Sequence, residues 1–231
     1  MQNGVREIFS EVPKTYDAVN AISTFGLDIA WRKKLAKLAA GFGGERFLDL
    51  CTGTAKTAIY LKQATKNKTE ICAADFSLPM LKIALTKPQA KSIEFIACDV
   101  KKLPFPDNSF DVATISFATR NININREILI STFKEFRRVL KPGGCFLNLE
   151  TSQPSFWIIK KLFHLYVKLF VRPIGTLISG SKKAYTYLSK TIPRFYSAQE
   201  LKTLLEQAGF KEVNFQKLPL GIAAIHIGKK T

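Results

Sequence analysis

Cysteine is scarce in this chain, acidic charge is in deficit, and the glycine fingerprint of a dinucleotide site is missing. Each absence excludes something. The four cysteines stand at 51, 72, 98 and 145 of 231 residues, with no CxxC pair among them. That spacing argues against a metal site and leaves small buried thiols of a reduced, cytoplasmic protein as the expectation. No uncharged apolar run reaches the roughly 20 residues needed to cross a bilayer. The stretch from Met1 to Ile8 lacks the long apolar core of a secretory leader. Repeats and low-complexity tracts are absent from the sequence. Gly53 has no glycine two or five residues on, so the pyrophosphate of NAD or FAD is a poor expectation. Acids are outnumbered by bases, 18 to 35, for a net charge of +17. Such a charge suits RNA, an anionic membrane surface or plain solubility. Its lysines are dispersed, as at Lys33-Lys34, Lys101-Lys102 and Lys182-Lys183. With no arginine-rich arm or aromatic-basic platform, nucleic acid is not expected as a partner.

What is present is a rhythm of strands and helices. An apolar content of 46% and a charged content of 23% are those of a globular chain, long enough for one large α/β domain. The run Leu48-Asp49-Leu50-Cys51-Thr52-Gly53-Thr54-Ala55 reads as a strand opening into a turn of small residues. A helix with Ala58, Ile59 and Leu61 on its apolar face follows. Ile71 to Ala74 ends in Asp75, and Ile93 to Cys98 ends in Asp99. Three successive strands thus carry carboxylates at or near their carboxyl ends, where open α/β sheets bind ligands. Small residues let backbone approach a ligand, and an acid ending the second strand suits a ribose diol. The pattern points to a nucleoside cofactor, and S-adenosylmethionine fits better than a dinucleotide.

A helical prelude holds Tyr16 to Asn20 and a helix around Leu27 to Leu38 carrying Trp31. Ser77 is placed to cap a helix of Met80, Leu81, Ile83 and Ala84. Phe110 to Phe117 reads as a fourth strand, and Leu129, Phe133, Phe136 and Leu140 share one helix face. Pro142-Gly143-Gly144 is expected to stop that helix and lead into a fifth strand from Cys145 to Glu150. Ser197 and Glu200 form a capping-box signature, and strands near 212–217 and 222–227 finish the chain.

Several motifs together resemble the ubiquinone/menaquinone biosynthesis C-methyltransferase family, a branch of the class I S-adenosylmethionine-dependent methyltransferases. They are the stretch Leu103 to Asp111, Arg120-Asn121, Arg138 to Gly144, Leu149 to Pro154, and the ending Gly221 to Gly228. Thr151-Ser152-Gln153-Pro154 resembles the menaquinone-making members more than those specialised for ubiquinone. The resemblance spans Tyr16 to Gly228. It implies a Rossmann-like α/β fold, a seven-stranded, mostly parallel sheet with the last strand antiparallel and helices on both faces. One domain is expected over 1–231: a helical extension (1–44), a cofactor-binding core (45–150), a helical substrate-side insert (151–196) and a terminal helix with strands (197–231). There are two departures. Lys56 stands where family members usually carry an acid, a charge awkward beside a sulfonium unless it points to solvent. Ala118-Thr119 replace the usual Gly-Leu before the Arg-Asn pair.

By that resemblance the cofactor contacts fall on Thr54, Asp75, Asp99, Val100 and Ser116. Thr54 would meet the methionine carboxylate at a helix start, and Asp75 the ribose hydroxyls. Asp99 and the amide of Val100 would take the adenine edge, Ser116 the methionine portion, and Asp49 the cofactor amine through water. The implied substrate is a prenylated quinol, a reduced demethylmenaquinone, with the ubiquinone-type benzoquinol as the alternative acceptor. From a different class comes an RNA-binding module that has kept the fold. Ring-carbon methylation requires the neighbouring phenol, near pKa ~10, to lose or nearly lose its proton. Arg120 and Asn121 are placed to hold the developing oxyanion. His226 is expected to be a packed histidine and His164 a surface one. Tyr185 and Tyr187 are candidates to shape the quinol pocket. From Phe156 to Val171 the polar positions Lys160, Lys161, His164 and Lys168 make one narrow stripe on an apolar helix. That stretch suits an insert walling a prenyl pocket, with a basic edge for peripheral contact at the inner face of a membrane.

Overall fold

The structure, a computed structural model, describes residues 13–231. Seven strands form one sheet: β1 (Arg46–Leu50), β2 (Glu70–Asp75), β3 (Ile93–Ala97), β4 (Phe110–Ser116), β5 (Leu140–Thr151), β6 (Lys211–Lys217) and β7 (Ala223–Lys229). Their order is β3-β2-β1-β4-β5-β7-β6. The first five run parallel, and β7 is antiparallel to both β5 and β6. The chain reverses its direction across the sheet between β1 and β4. Their carboxyl ends therefore splay apart into the crevice where such sheets bind ligands.

Alternate strand residues feed two cores. Leu48, Leu50, Ala113, Ile115 and Phe146 face one side, against Leu129, Phe133 and Phe136 of α6 (Arg126–Val139) and Leu201 and Leu204 of α10 (Ala198–Gln207). Phe47, Ile71, Val112, Leu147 and Leu149 face the other. There they meet Trp31 and Leu35 of α2 (Leu27–Gly41) and Ala58 and Leu61 of α3 (Lys56–Ala64). This two-sided burial is why the central strands read as continuous apolar runs. The remaining helices are α1 (Pro13–Ser23), α4 (Leu78–Leu85), α5 (Thr119–Ile122), α7 (Trp157–Tyr166), α8 (Arg172–Ser179) and α9 (Lys182–Thr191).

Two local expectations are corrected. The α6 helix ends at Val139, and Leu140 already pairs with Phe110 as a strand residue. Lys141 to Gly144 then forms an irregular step inside β5 before Val112 pairs with Cys145. Lys141 is anchored there by Asp111 at 2.7 Å. A Cβ at Gly144 would press on two carbonyl oxygens at 2.8 and 2.9 Å, so only glycine fits the step. Ser77 does stand at the N-cap of α4, but its hydroxyl makes no capping bond. Its N–H donates to Asp75 instead, at 2.8 Å. The Ser197–Glu200 capping box forms as expected.

Between α7 and α8 the chain winds a π-helical turn over Val167–Val171, joining them into one 23-residue rod, Trp157–Ser179. Pro173 accounts for the turn: it has no N–H for the preceding turn, and the wider π geometry relieves its ring.

Candidate functional site

The turn after β1 is built under strain. Cys51, Gly53 and Ala55 have φ of 52°, 57° and 65°, and Phe117 beyond β4 has 56°. Left-handed backbone at non-glycine residues persists only where the surroundings over-determine it. Asp49 is part of that support. It is buried at 1% exposure, accepting from the Thr52 hydroxyl at 2.6 Å and the Thr114 hydroxyl at 2.7 Å. Burial pushes its carboxyl up to about 6. It lines neither of the two spaces described below.

Asp75 projects from β2 into a cleft of about 60 Å³ lined also by Gly53, Thr54, Ser116 and Asn121. Backbone N–H groups of Gly53 and Ser77 donate to its two oxygens at 2.7 and 2.8 Å. Burial nevertheless holds its carboxyl above the usual range. Three buried atoms of residues lining this cleft, Ser77 Oγ, Asn121 Oδ1 and Arg32 Nε, have no hydrogen-bond partner among the described residues. Unsatisfied polar atoms gathered in one cleft are what a polar ligand would complete.

The cleft is narrow because α1 lies across it. Asp17 accepts from the Thr54 hydroxyl at 2.7 Å and pairs with Lys87 at 2.8 Å. Lys87 also donates to the Thr54 carbonyl at 2.7 Å. Lys56 neither faces open solvent nor stands unpaired. Its ammonium lies 3.7 Å from Asp17 and 3.6 Å from the buried Asp28. The charge expected to be awkward is neutralised by two carboxylates from the prelude helices. Despite the cost of its burial, hydrogen bonds from Lys87 and Thr54 hold Asp17 below the usual carboxylate range.

Beside the cleft opens a second space of about 460 Å³, almost wholly apolar. Val19, Trp31 and Phe117 wall it on one side, and Phe163, Val167 and Val171 of the rod on the other. Tyr166 ties the rod to the prelude by donating to the Ser23 carbonyl at 2.7 Å. Tyr185 lines the space, pressed so closely on Gly175 that a Cβ there would overlap its ring. Tyr187 does not line it.

Neighbouring residues of α5 divide between the two spaces. Arg120 faces the apolar cavity and Asn121 the polar cleft, while Tyr16 borders both. Arg120 is buried and pairs with Glu150 at 3.2 Å, and its backbone N–H donates to the same carboxylate at 3.1 Å. The hydroxyl of Thr151 accepts from it at 3.1 Å. A guanidinium so held, with one cationic fork at the edge of an apolar space, is a fixed donor for an oxyanion.

The chain matches the profile of the ubiE/COQ5 methyltransferase family over residues 1–230. It belongs to that family. It is 40% identical over 228 residues to demethylmenaquinone methyltransferase of Staphylococcus carnosus (strain TM300), covering 98% of this chain and 92% of the relative. Identity to the enzyme of the same name from Staphylococcus aureus (strain JH9) is 38% over the same span. Among solved structures it resembles the S-adenosylmethionine-dependent methyltransferase SibL in its apo form (TM-score 0.66, 15% identity, 93% of this chain and 57% of that one). A SAM-dependent methyltransferase from Thermotoga maritima superposes with TM-score 0.64 at 19% identity, over 98% of this chain and all of that one. These likenesses place the fold, with the expected seven-stranded sheet, among methyltransferases.

For a ubiE/COQ5 methyltransferase the remaining expected residues are distributed unevenly. Ser116 accepts from the Thr57 hydroxyl at 3.1 Å at the floor of the cleft. Asp99 and Val100 follow β3, one strand beyond Asp75, and do not line the cleft. Asp99 is turned to Lys101, whose ammonium is 3.4 Å away. His226 is packed at 1% exposure against the Ala198 carbonyl, and burial pushes it down to about 4. His164 is not a free surface residue: it is half-buried with Nε2 2.7 Å from the Gln153 Oε1. Sequence reasoning missed Asp17, Arg32 and Glu150. Glu150 lay within a quoted motif, but only the register of β5 beside β4 brings it to Arg120.

Proposed function

We propose that this methyltransferase methylates a ring carbon of demethylmenaquinol, with S-adenosylmethionine as the donor. The observation that carries this is the junction of the two spaces: an apolar cavity sized for a prenylated ring abuts a polar cleft, and Arg120 and Asn121 stand on either side of the join. Relatives at 38–40% identity named demethylmenaquinone methyltransferase support the acceptor. The cleft fits the donor's chemistry. Asp75 offers two acceptor oxygens for adjacent ribose hydroxyls. Asn121, Ser77 and Arg32 offer unspent polar atoms, and Thr54 and Ser116 small hydroxyls.

When bound, S-adenosylmethionine supplies an activated methyl group on a positively charged sulfur. The chain's residues do the rest by positioning and electrostatics. The apolar walls exclude water from around the quinol ring, which strengthens every charge interaction there. Arg120, locked by Glu150 and Thr151, stabilises the quinol oxygen as it loses its proton. Asn121 continues the polar lining from that oxygen into the cleft.

The acceptor's tail belongs to a bilayer, and the rod 157–179 is built to meet one. Trp157, Ile158, Leu165, Leu169, Phe170 and Leu177 are exposed on it. No acid occurs between Glu150 and Glu200, whereas Lys160, Lys161, Lys168, Arg172, Lys182, Lys183, Lys190 and Arg194 all do. An apolar face bordered only by cations is the signature of an interfacial helix on anionic lipid. The rod is long and apolar enough to cross a membrane, with an 18-residue stretch of mean hydropathy 1.2 that is 17% buried. Its inner face walls the cavity, which supports a rod lying along a membrane surface rather than across it.

The test is direct. Purified protein with labelled S-adenosylmethionine and vesicle-borne demethylmenaquinol should yield methylated naphthoquinol, and benzoquinol or RNA offered in parallel should stay unlabelled. S-adenosylhomocysteine should raise the melting temperature by mass action, and Asp75→Ala should lose that shift while remaining folded. Label in RNA, or in benzoquinol alone, would replace this reading.

A further inference from the structure

Arg32 of α2 lines the polar cleft. It is 6% exposed, and its Nη1 donates to the Thr57 hydroxyl at 2.8 Å. Its guanidinium stands 5.0 Å from the centre of the Phe117 ring. Asp28, one helical turn earlier, pairs with it only loosely, at 3.8 Å from Nε, and the buried Asp49 is near enough to feel its charge. Nε itself makes no hydrogen bond. A buried guanidinium with an idle edge beside a cleft is a half-made bidentate site.

Arg32, Lys56 and Lys87 gather at this end of the cleft beside Asp17 and Asp28. Lys56 and Lys87 take up Asp17 and Asp28, and the Nε edge of Arg32 is left without a hydrogen-bonded carboxylate. That edge can receive an anion. The N-terminus of α3 opens here as well, with Ala55 at its cap making no side-chain bond to the first N–H groups. Its partial positive charge favours the same occupant. Thr57, in the first turn of α3, links Arg32 to Ser116 through hydroxyls at 2.8 and 3.1 Å. The arginine is thereby fixed within the lining of the cleft. A carboxylate on the amino-acid end of a nucleoside ligand fits this position, and a phosphate-bearing cofactor is not required.

Resting on the donor proposed above, we infer that Arg32 is the recognition residue for the α-carboxylate of S-adenosylmethionine. The test measures binding, not turnover. Dissociation constants are determined for S-adenosylhomocysteine and for its decarboxylated counterpart, S-adenosyl-3-thiopropylamine, in wild type, Arg32→Gln and Arg32→Lys. Wild type should favour the carboxylate-bearing ligand by roughly 10–100-fold, the range of a charge-assisted hydrogen bond. In Arg32→Gln the preference should collapse to a few-fold while affinity for the decarboxylated ligand stays near that of wild type. Arg32→Lys should retain an intermediate preference, because it keeps the charge without the fork. The ratio is internal to each variant, so a loss of stability does not imitate it. Equal weakening of both ligands in Arg32→Gln, or an undiminished preference, overturns the assignment of Arg32. Failure of wild type to bind either nucleoside overturns the donor instead.

Discussion

At the scale of single residues, Arg120 and Glu150 are inseparable. Replacing Arg120 with Ala should cost turnover on the order of 10²–10³-fold, as for loss of one oxyanion donor, while S-adenosylhomocysteine binding changes little. It also strands a fully buried carboxylate, so unfolding should become easier by about 3–5 kcal/mol. Adding Glu150→Gln should recover much of that stability and none of the turnover, which urea unfolding and a quinol assay would separate. His226 carries a second prediction. Held down to about 4 against an ordinary 6.5, it stays neutral in the fold while the unfolded chain takes up a proton. Its contribution is present above pH 6.5 and is lost as pH falls toward 4, by on the order of 3 kcal/mol. Asp49, raised to about 6, has the opposite sign: between its ordinary 3.8 and 6 the fold binds the proton more tightly, so acid favours the fold. Unfolding free energies of His226→Gln between pH 6.5 and 4 should therefore fall less steeply than those of wild type.

Among the elements, α1 is expected to control access to the cleft. It contributes Tyr16 to both spaces, and through Asp17 it is pinned to Thr54, Lys56 and Lys87 over a cleft of only about 60 Å³. A nucleoside as large as S-adenosylmethionine needs that helix to shift outward. Asp17→Asn removes the charge of the latch while keeping its shape. Exchange of S-adenosylhomocysteine, followed by stopped-flow fluorescence of Trp31, should become several-fold faster in both directions, with melting lowered only slightly because the ion pairs are partly exposed. Unchanged exchange would leave α1 as a static wall.

For the whole molecule, the proposed membrane contact would draw on both the surplus positive charge and the apolar rod. Lys160, Lys161 and Lys168 replaced by Gln should weaken binding to anionic vesicles about tenfold or more at low salt, since each lysine near such a surface contributes about 1 kcal/mol. The difference should shrink as salt shortens the Debye length. Turnover of long-tailed quinol in vesicles should fall with it, and turnover of a short-tailed soluble quinol should not. Sedimentation of both proteins with vesicles over a salt series reads this out.

The sequence by itself determined which elements form and in what order. Apolar runs bounded by Asp75 and Asp99, the small-residue turn at 51–55 and the capping box at Ser197 are local signals, and local backbone preference was enough to read them. The family motifs likewise named Arg120, Asn121 and Asp75 as candidates without any coordinates. What only the tertiary structure decided is which side chains meet. Asp17 reaches Thr54 across 37 residues, Arg32 reaches Thr57 across 25, and Arg120 reaches Glu150 across 30. Lys56 looked like an obstacle because its partners, Asp17 and Asp28, lie on helices that periodicity places on the chain but not over the cleft. Strand and helix periodicity records which face of an element is buried. It carries no record of what that face is buried against, and that pairing fixes the charge, the cavity and the chemistry here.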